Sequence, residues 1–504
     1  MVTKIITVNW YRIFIALMMA FQPLAGMSQE FRVQGIYISG RIINFDSARS
    51  QQTVSFLKRS LTGPPEKLVA TIRPDGGFEF KTSIAIPQDI TLNYQGFAQL
   101  FLCPGDSLQV LINADKKPGQ TVSDFITIES GRHSQENLAI IRFLQEKEKA
   151  YANEEEQRAI KEKTPVAFQQ YIFQAMRAEE KFLKDFKLKW PTTRLFNKWA
   201  EDYLKYEGWN KLLRYGWENP MLNGLERSQL NLGPDYLEFM SEYNMNDHQI
   251  ISAPHIDFLY ELYRIYLKKL NAAQKDSLAQ MTKRKDVSGM IRLYVHSLSS
   301  QTKGFTRDVF LARMFIDAIS GYQLKEFESA WAPGSVSSAY FRSMILRESR
   351  KVKAFLQNQD VKKESLLVTL DQRIIQPLID TIIAKYAGKV IYIDFWAPWC
   401  VPCMQAMPAS EEIQSRYRGK EIIFLFLASR CSDESWKATI ANKLLKGVHI
   451  NLTDDQFNIL SAKFNITGIP HYVIIDKQGK IIDPNAPGPE RKTELIDQLD
   501  RLTR

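Results

Sequence analysis

The chain has 504 residues, 45% of them hydrophobic and 24% charged, with 66 basic side chains against 56 acidic ones and a formal net charge of +10. That length exceeds what one hydrophobic core usually supports, and the composition excludes collagen-like, wholly disordered and polytopic membrane classes. The positive excess is spread along the chain, without a basic stripe interleaved with aromatics, so it reads as solubility and not as a nucleic-acid footprint.

The chain opens on "MVTKIITVNWYRIFIALMMAFQPLAGMSQEF". Lys4 and Arg12 lead, an apolar run from Ile13 to Phe21 follows, Gln22 and Pro23 break it, and the small residues Ala25, Gly26 and Ser28 come next. This is the layout of a secretory signal peptide over residues 1–28. An uncleaved anchor is the alternative, but the run falls well short of the ~20 apolar residues that span a bilayer. No later run is long and apolar enough to cross one. The mature chain is therefore expected to be exported, into the periplasm of a Gram-negative bacterium, with no transmembrane segment and with peripheral membrane association left open. In such an oxidising compartment thiols pair, yet four cysteines (Cys103, Cys400, Cys403 and Cys431) are too few for a disulfide scaffold.

Residues 29–130 read as a β-sandwich domain. "FRVQGIYISGRI", "TVSFLK", "KLVATIR", "GGFEFKTSI", "ITLNYQ", "QLFLC" and "SLQVLIN" are strand-length runs, separated by the turn-forming clusters "TGPPE", "PDGG", "CPGDS" and "KPGQ". Near Ser134 the apolar period lengthens to that of a helix. Helical texture persists through residues 131–365, broken near Pro191, Pro220, Pro254 and Pro333, with no fixed repeat. This block reads as an irregular all-α domain. Its aromatics, among them Trp190, Trp199, Trp209, Trp217 and Trp331, are expected in the core; the alternative is a groove lined for a peptide partner.

From 366 to 504 strands alternate with helices, the signature of a partly parallel sheet covered on both faces. "IIQPLIDTIIAKYAGK" reads as a helix stopped by Gly388, "VIYIDFW" as a buried strand, and "PCMQAMPASEEIQSRYRG" as a helix ending at Gly419. "EIIFLFLAS" is a second buried strand, "DESWKATIANKLL" a helix, "HYVIIDKQGKII" a hairpin turning at Lys477–Gly479, and "ERKTELIDQLDRL" a closing amphipathic helix.

Cys400 and Cys403 stand where the strand "VIYIDFW" hands over to a helix. Unpaired N–H groups and the positive end of the helix dipole favour thiolate there, holding its pKa below the free value of ~8.5. Residues three apart meet across the first helical turn, so the pair can form a short, reducible bond. Pro402 is tolerated because first-turn N–H groups have no helical partner. A zinc site would call for a second C-x-x-C or a spaced histidine pair, and the six histidines are scattered. A permanent staple over so short a loop gains little chain entropy. No metal and no cofactor are expected.

"VIYIDFWAPWCVPCMQAMP" resembles the active-site segment of thioredoxin-fold proteins, and "ITGIPHYVIID" resembles their second signature, a cis-proline between a loop and a strand. Pro408 matches the proline common in that helix. The long N-terminal addition and "FWAPWCVPC" make the chain most similar to exported TlpA/ResA-like thiol–disulfide oxidoreductases; "CPGDSLQV" is more loosely similar to the N-terminal domain of envelope members. The resemblance implies a redox-active Cys400–Cys403 disulfide, with Cys400 as the exposed nucleophile and Cys403 resolving the mixed disulfide. It implies that Asp394 is a buried acid that moves the resolving proton, that Pro470 in cis exposes the Ile469 backbone to an extended substrate, and that Trp399 shields the thiols and contacts substrate.

Val401–Pro402 departs from the Gly-Pro of cytosolic thioredoxins, and "EIIFLFLAS" lacks their lysine partner for the buried acid. Cys103 reads as an inert core thiol and Cys431 as a buried free thiol or a third redox participant. The expected architecture is thus an N-terminal all-β sandwich, a middle all-α domain and a C-terminal α/β thioredoxin-like fold. The expected activity is disulfide reduction in protein substrates, fed by a membrane electron-transfer protein. Thiol oxidation, isomerisation, or ligand binding and scaffolding by the helical region are the alternatives.

Overall fold

The computed structural model describes residues 31–46, 51–115, 126–150, 154–246, 248, 251–368 and 378–504. The expected signal peptide, its processing site and the first four residues of the "IIQPLIDTIIAKYAGK" helix lie outside the described residues. The chain divides into two compact units, one holding residues up to 270 with 297–310 and 336–342, the other holding 271–296, 311–335 and 343–504. The helical stretch between 131 and 365 is therefore shared out between them.

The first unit opens with eight strands: β1 (Gln34–Ile43), β2 (Thr53–Lys58), β3 (Glu66–Thr71), β4 (Gly77–Ile84), β5 (Gln88–Asn93), β6 (Phe97–Leu102), β7 (Ser107–Asn113) and β8 (Ile126–Gly131). They form two four-stranded sheets, ordered β4-β1-β7-β8 and β3-β2-β5-β6. Every pairing is antiparallel except β1 with β7, where Tyr37 stands opposite Ser107. Period-two alternation sends Ile36, Ile38 and Ile42 of β1, Val54 and Phe56 of β2, and Leu108, Val110 and Ile112 of β7 into one shared core. Gly40 is required there, because a Cβ would stand 2.3 Å from the Phe78 ring. The strand β8 has no counterpart among the sequence runs, since Glu129 and Ser130 blunt its apolar alternation.

Helices α1 (Ser134–Ala150), α2 (Glu154–Glu162), α3 (Pro165–Lys189), α4 (Arg194–Leu222) and α5 (Ala253–Lys268) follow. A second cluster joins Phe101 of β6 to Ile140 and Phe143 of α1, Leu183 and Phe186 of α3, and Phe196 and Trp199 of α4. Two buried polar side chains fix this layer. Asn137 of α1 accepts from the Phe101 N–H at 2.8 Å and donates to its carbonyl at 2.8 Å. Asp89 of β5 accepts from the Trp199 indole at 2.7 Å and from the Ala253 N–H at 2.8 Å. Trp199 and Trp209 are buried, as the core reading expects, whereas Trp190, Trp217 and Trp331 are half-buried.

Further helices are α6 (Ala272–Arg284), α7 (Val287–Gln301), α8 (Gly304–Ser320), α9 (Leu324–Ala330) and α10 (Ala339–Gln357). The second unit then carries β9 (Ser365–Leu367), α11 (Leu378–Lys385), β10 (Val390–Trp396), α12 (Val401–Arg416), β11 (Ile422–Ala428), α13 (Asp433–Lys443), β12 (Gly447–Asn451), α14 (Asp454–Phe464), β13 (His471–Ile475), β14 (Ile481–Asp483) and α15 (Lys492–Leu502). Its six-stranded sheet runs β14-β13-β10-β11-β12-β9, with β10, β11, β12 and β9 parallel, β13 antiparallel to β10, and β14 antiparallel to β13.

The centre of that sheet, β10, is buried at every position. Its odd-numbered residues Ile391, Ile393 and Phe395 join one apolar cluster, while Val390, Tyr392 and Trp396 join the other. Full burial of each such side chain contributes about 1.5–3 kcal/mol. The second cluster is also the one that holds Cys400 and Cys403, so β10 anchors the cysteine turn from beneath. Among the described residues, no helix is long and apolar enough to cross a membrane.

Candidate active site

Cys400 and Cys403 form a disulfide, with Cα atoms 5.2 Å apart. The chain leaves β10 at Trp396, and Cys400 becomes the N-cap of α12, its Sγ accepting from the Cys403 N–H at 3.2 Å. Pro402 occupies the first turn, where no helical N–H is lost, and Pro408 lies further along the same helix. The Cys400 sulfur therefore faces a backbone donor and the positive end of α12, which favour a thiolate once the bond is reduced.

Across from it, Ile469 and Pro470 are joined by a cis peptide bond, and the Ile469 carbonyl oxygen lies 3.7 Å from Cys400 Sγ. The two sequence signatures thus meet at one sulfur. Trp399 is 41% exposed and donates its indole N–H to the Arg430 carbonyl at 2.9 Å. Val401 is exposed on the other side of the cysteine. Cys400 itself is only 4% exposed and Cys403 3%, which corrects the expectation of an exposed Cys400. In the disulfide form its sulfur is enclosed by the Ile469 carbonyl, the Cys403 N–H and its own bond partner.

Asp394 sits on β10, opposite Phe426 of β11 and Tyr472 of β13. Strand alternation puts it on the side of Tyr392 and Trp396, the side of the cysteines. It is buried, and its Oδ1 has no hydrogen-bond partner among the described residues. Burial, and secondarily the Glu490 carboxylate, pushes its acid up to about 8. A buried site with no paired cation disfavours the charged form, so this carboxyl holds a proton near neutral pH.

Tyr392 and Tyr472, stacked at 5.6 Å between ring centroids, stand on the same face. The Tyr392 hydroxyl donates to the Pro487 carbonyl at 2.9 Å, and the Ala486 N–H donates to the Tyr472 carbonyl at 2.9 Å. These bonds hold the segment before α15 across the strand, which is how Glu490 comes to act on Asp394. Sequence reading found neither Glu490 nor Arg430. Glu490 lies 96 positions from Asp394 in the chain, and Arg430 contributes only a backbone carbonyl, so no side-chain pattern marks either one. Cys431, next to Arg430, packs half-buried at the edge of the cysteine cluster, 3.4 Å from Asn451 Oδ1, and burial pushes its thiol up to about 12.

Residues 388–481 match the thioredoxin-like family. A stretch of 118 residues is 26% identical to the thiol-disulfide oxidoreductase ResA of Bacillus thuringiensis subsp. konkukian, covering 23% of this chain and 66% of that protein. A second relative, thioredoxin 2 of Chlorobaculum tepidum, is 32% identical over 114 residues, 23% of this chain and 79% of its own length. A solved thiol-disulfide oxidoreductase structure from Bacteroides vulgatus is 32% identical, with 24% of this chain and 82% of the other covered and a TM-score of 0.22. This chain spans just under two thirds of the length of its ResA relatives, 66% in the Bacillus thuringiensis protein.

Proposed function

This chain belongs, through its C-terminal domain, to the thioredoxin-fold, TlpA/ResA-like family, and from that premise we propose that it is an exported thiol–disulfide oxidoreductase working as a disulfide reductase. The observation that carries the reading is the Cys400–Cys403 disulfide capping α12, with the Ile469 carbonyl beside the first sulfur. The substrates are proteins bearing disulfides.

In the reduced enzyme the Cys400 thiolate attacks one sulfur of the substrate disulfide. A mixed disulfide forms, and the displaced substrate thiolate takes up a proton. Cys403 then gives its proton to Asp394 in its ionised form, the minor form near neutral pH for an acid pushed up to about 8, and attacks Cys400 Sγ. This expels the second substrate thiolate and leaves Cys400–Cys403 oxidised. Two electrons have passed to the substrate. A membrane electron-transfer protein returns them, because an oxidising compartment supplies none. Trp399 and the Ile469–Pro470 segment form the surface against which an extended substrate segment lies. The β-sandwich of residues 29–130 and the helices of 131–365 choose the partner, while residues 366–504 perform the chemistry. Export, into the periplasm, rests on the N-terminal layout of basic, apolar and small residues.

Insulin reduction by the wild type and by Cys400→Ser and Cys403→Ser variants tests the activity; equal rates in all three would end the reading. The Cys400–Cys403 potential measured against glutathione tests the direction. A value near about −120 mV, that of a strong oxidant, would make the protein an oxidase.

A further inference from the structure

Cys103, read from the sequence as an inert core thiol, does not stand alone. Its sulfur, a carboxylate oxygen of Asp106 and a ring nitrogen of His133 all lie within 4.8 Å of one another. We propose that Cys103, Asp106 and His133 form a zinc(II) site in the first unit, separate from the redox disulfide.

The three side chains are held in place before any ion arrives. Cys103 and Asp106 belong to one tight turn, in which the Asp106 N–H donates to the Cys103 carbonyl at 3.1 Å and the Cys103 N–H donates to Asp106 Oδ2 at 2.8 Å. His133 immediately precedes α1, and its Nδ1 lies 2.7 Å from the same Oδ2. The His133 carbonyl accepts from the N–H of Asn137 at 3.1 Å and from its side-chain amide at 2.9 Å. That amide also pairs with both backbone groups of Phe101, two positions before Cys103. Asn137 thus ties the turn and the histidine to one frame. Preorganisation of this kind removes much of the ordering cost of binding.

The second observation is an orphan. Asp106 is 3% exposed, and its Oδ1 has no hydrogen-bond partner among the described residues. Leaving a buried acceptor unmatched is costly, and a metal ion would satisfy it. On binding, the Cys103 S–H proton leaves to solvent as the Zn–S bond forms, with no change in oxidation state. One sulfur, one imidazole nitrogen and one carboxylate oxygen are zinc's ligand types, and three protein ligands leave a fourth position for water. Magnesium and calcium take oxygen alone.

Cobalt(II) titration of the untagged full-length protein, kept oxidised at Cys400–Cys403 so that those sulfurs cannot ligate, tests the site. The expected result is one equivalent bound with a thiolate-to-cobalt charge-transfer band, displaced by zinc(II). Cys103→Ser should abolish the band. His133→Ala should weaken binding by at least the ~10–100-fold that loss of even an outer partner costs. Cys431→Ser, which removes the other free thiol, should leave the band unchanged. No band in the wild type, a band that survives Cys103→Ser, or one that is lost in Cys431→Ser would each overturn the proposal. The wild-type titration decides it even where a variant fails to fold.

Discussion

The sulfur of Cys400 lies 3.7 Å from the carbonyl oxygen of Ile469 and 3.2 Å from the backbone nitrogen of Cys403, so an acceptor and a donor face one atom. The carbonyl can accept from a Cys400 thiol and repels a thiolate. The Cys403 N–H and the α12 N-terminus do the reverse. Two donors of positive potential against one carbonyl should leave the thiolate favoured. In a Cys403→Ser variant, the alkylation rate of Cys400 against pH should therefore show a midpoint below the free-thiol value of ~8.5. A midpoint at or above it would mean that the carbonyl and burial dominate.

Asp394 gives a stability prediction with a definite sign. Its carboxyl is pushed up to about 8 in the fold, first by burial and then by Glu490, against an ordinary value of 3.8. Between those two values the folded state holds one more proton than the unfolded state, so stability falls as pH rises through the window. Asp394→Asn removes this loss. Its melting temperature should equal or fall below that of the wild type near pH 4 and exceed it increasingly toward pH 8, with a gain of at most about 4 kcal/mol at pH 7. The same variant should slow release of substrate from the mixed disulfide, because Cys403 loses its proton acceptor. A pH-independent difference in melting temperature would show that Asp394 is not the titrating group.

Trp399 is positioned by its bond to the Arg430 carbonyl, and no side chain of Arg430 takes part. Trp399→Phe keeps an aromatic face and removes that bond, worth about 0.5–1.5 kcal/mol. The expected effect is a rise of roughly 2–10-fold in KM for a protein disulfide, converted from the same figure, with the Cys400 alkylation profile unchanged. Arg430→Ala should leave both quantities near wild type. A shifted alkylation profile in Trp399→Phe would mean that the indole acts on the thiol directly.

In the first unit, Lys147 of α1 lies 3.0 Å from Glu179 of α3 and 2.8 Å from Glu207 of α4, with Lys147 and Glu179 buried. Lys147→Met strands two carboxylates and should cost about 3–5 kcal/mol in a denaturant titration. Adding Glu179→Gln should recover part of that loss, since one of the stranded charges is gone. A cost below ~1 kcal/mol would mean that the pair is solvated like a surface bridge.

The redox centre was legible because its determinants are local. "WCVPC" on a strand-to-helix turn needs no knowledge of the rest of the chain to be read, and "GIP" before an apolar strand is nearly as compact. β10 and β11 were equally plain, as unbroken apolar runs. What was hidden was short or non-local. The strands β9, with three residues, and β12, "GVHIN", are too brief to show a period. The helix α14 hides in "DDQFNILSAKF", although Thr453 and Gln456 form its capping box. Glu490 acts on Asp394 only because Tyr392 and Tyr472 draw the Pro484–Glu490 segment over β10. The Cys103, Asp106 and His133 cluster depends on Asn137 gripping Phe101, a contact spanning 36 positions that no spacing rule encodes.

The parallel pairing of β1 with β7 sets a folding order. Tyr37 meets Ser107 only after a loop of about 70 residues closes, at a chain-entropy cost that grows with the logarithm of loop length. On its other side β1 waits for β4, whose Ile84 pairs with Gln34. The first strand to emerge in the described chain is therefore among the last to be enclosed, with both backbone edges open while the others assemble. Such an edge is a template for pairing with a second chain. The high contact order of this sheet should make the first unit the slow-folding, aggregation-exposed part of the protein.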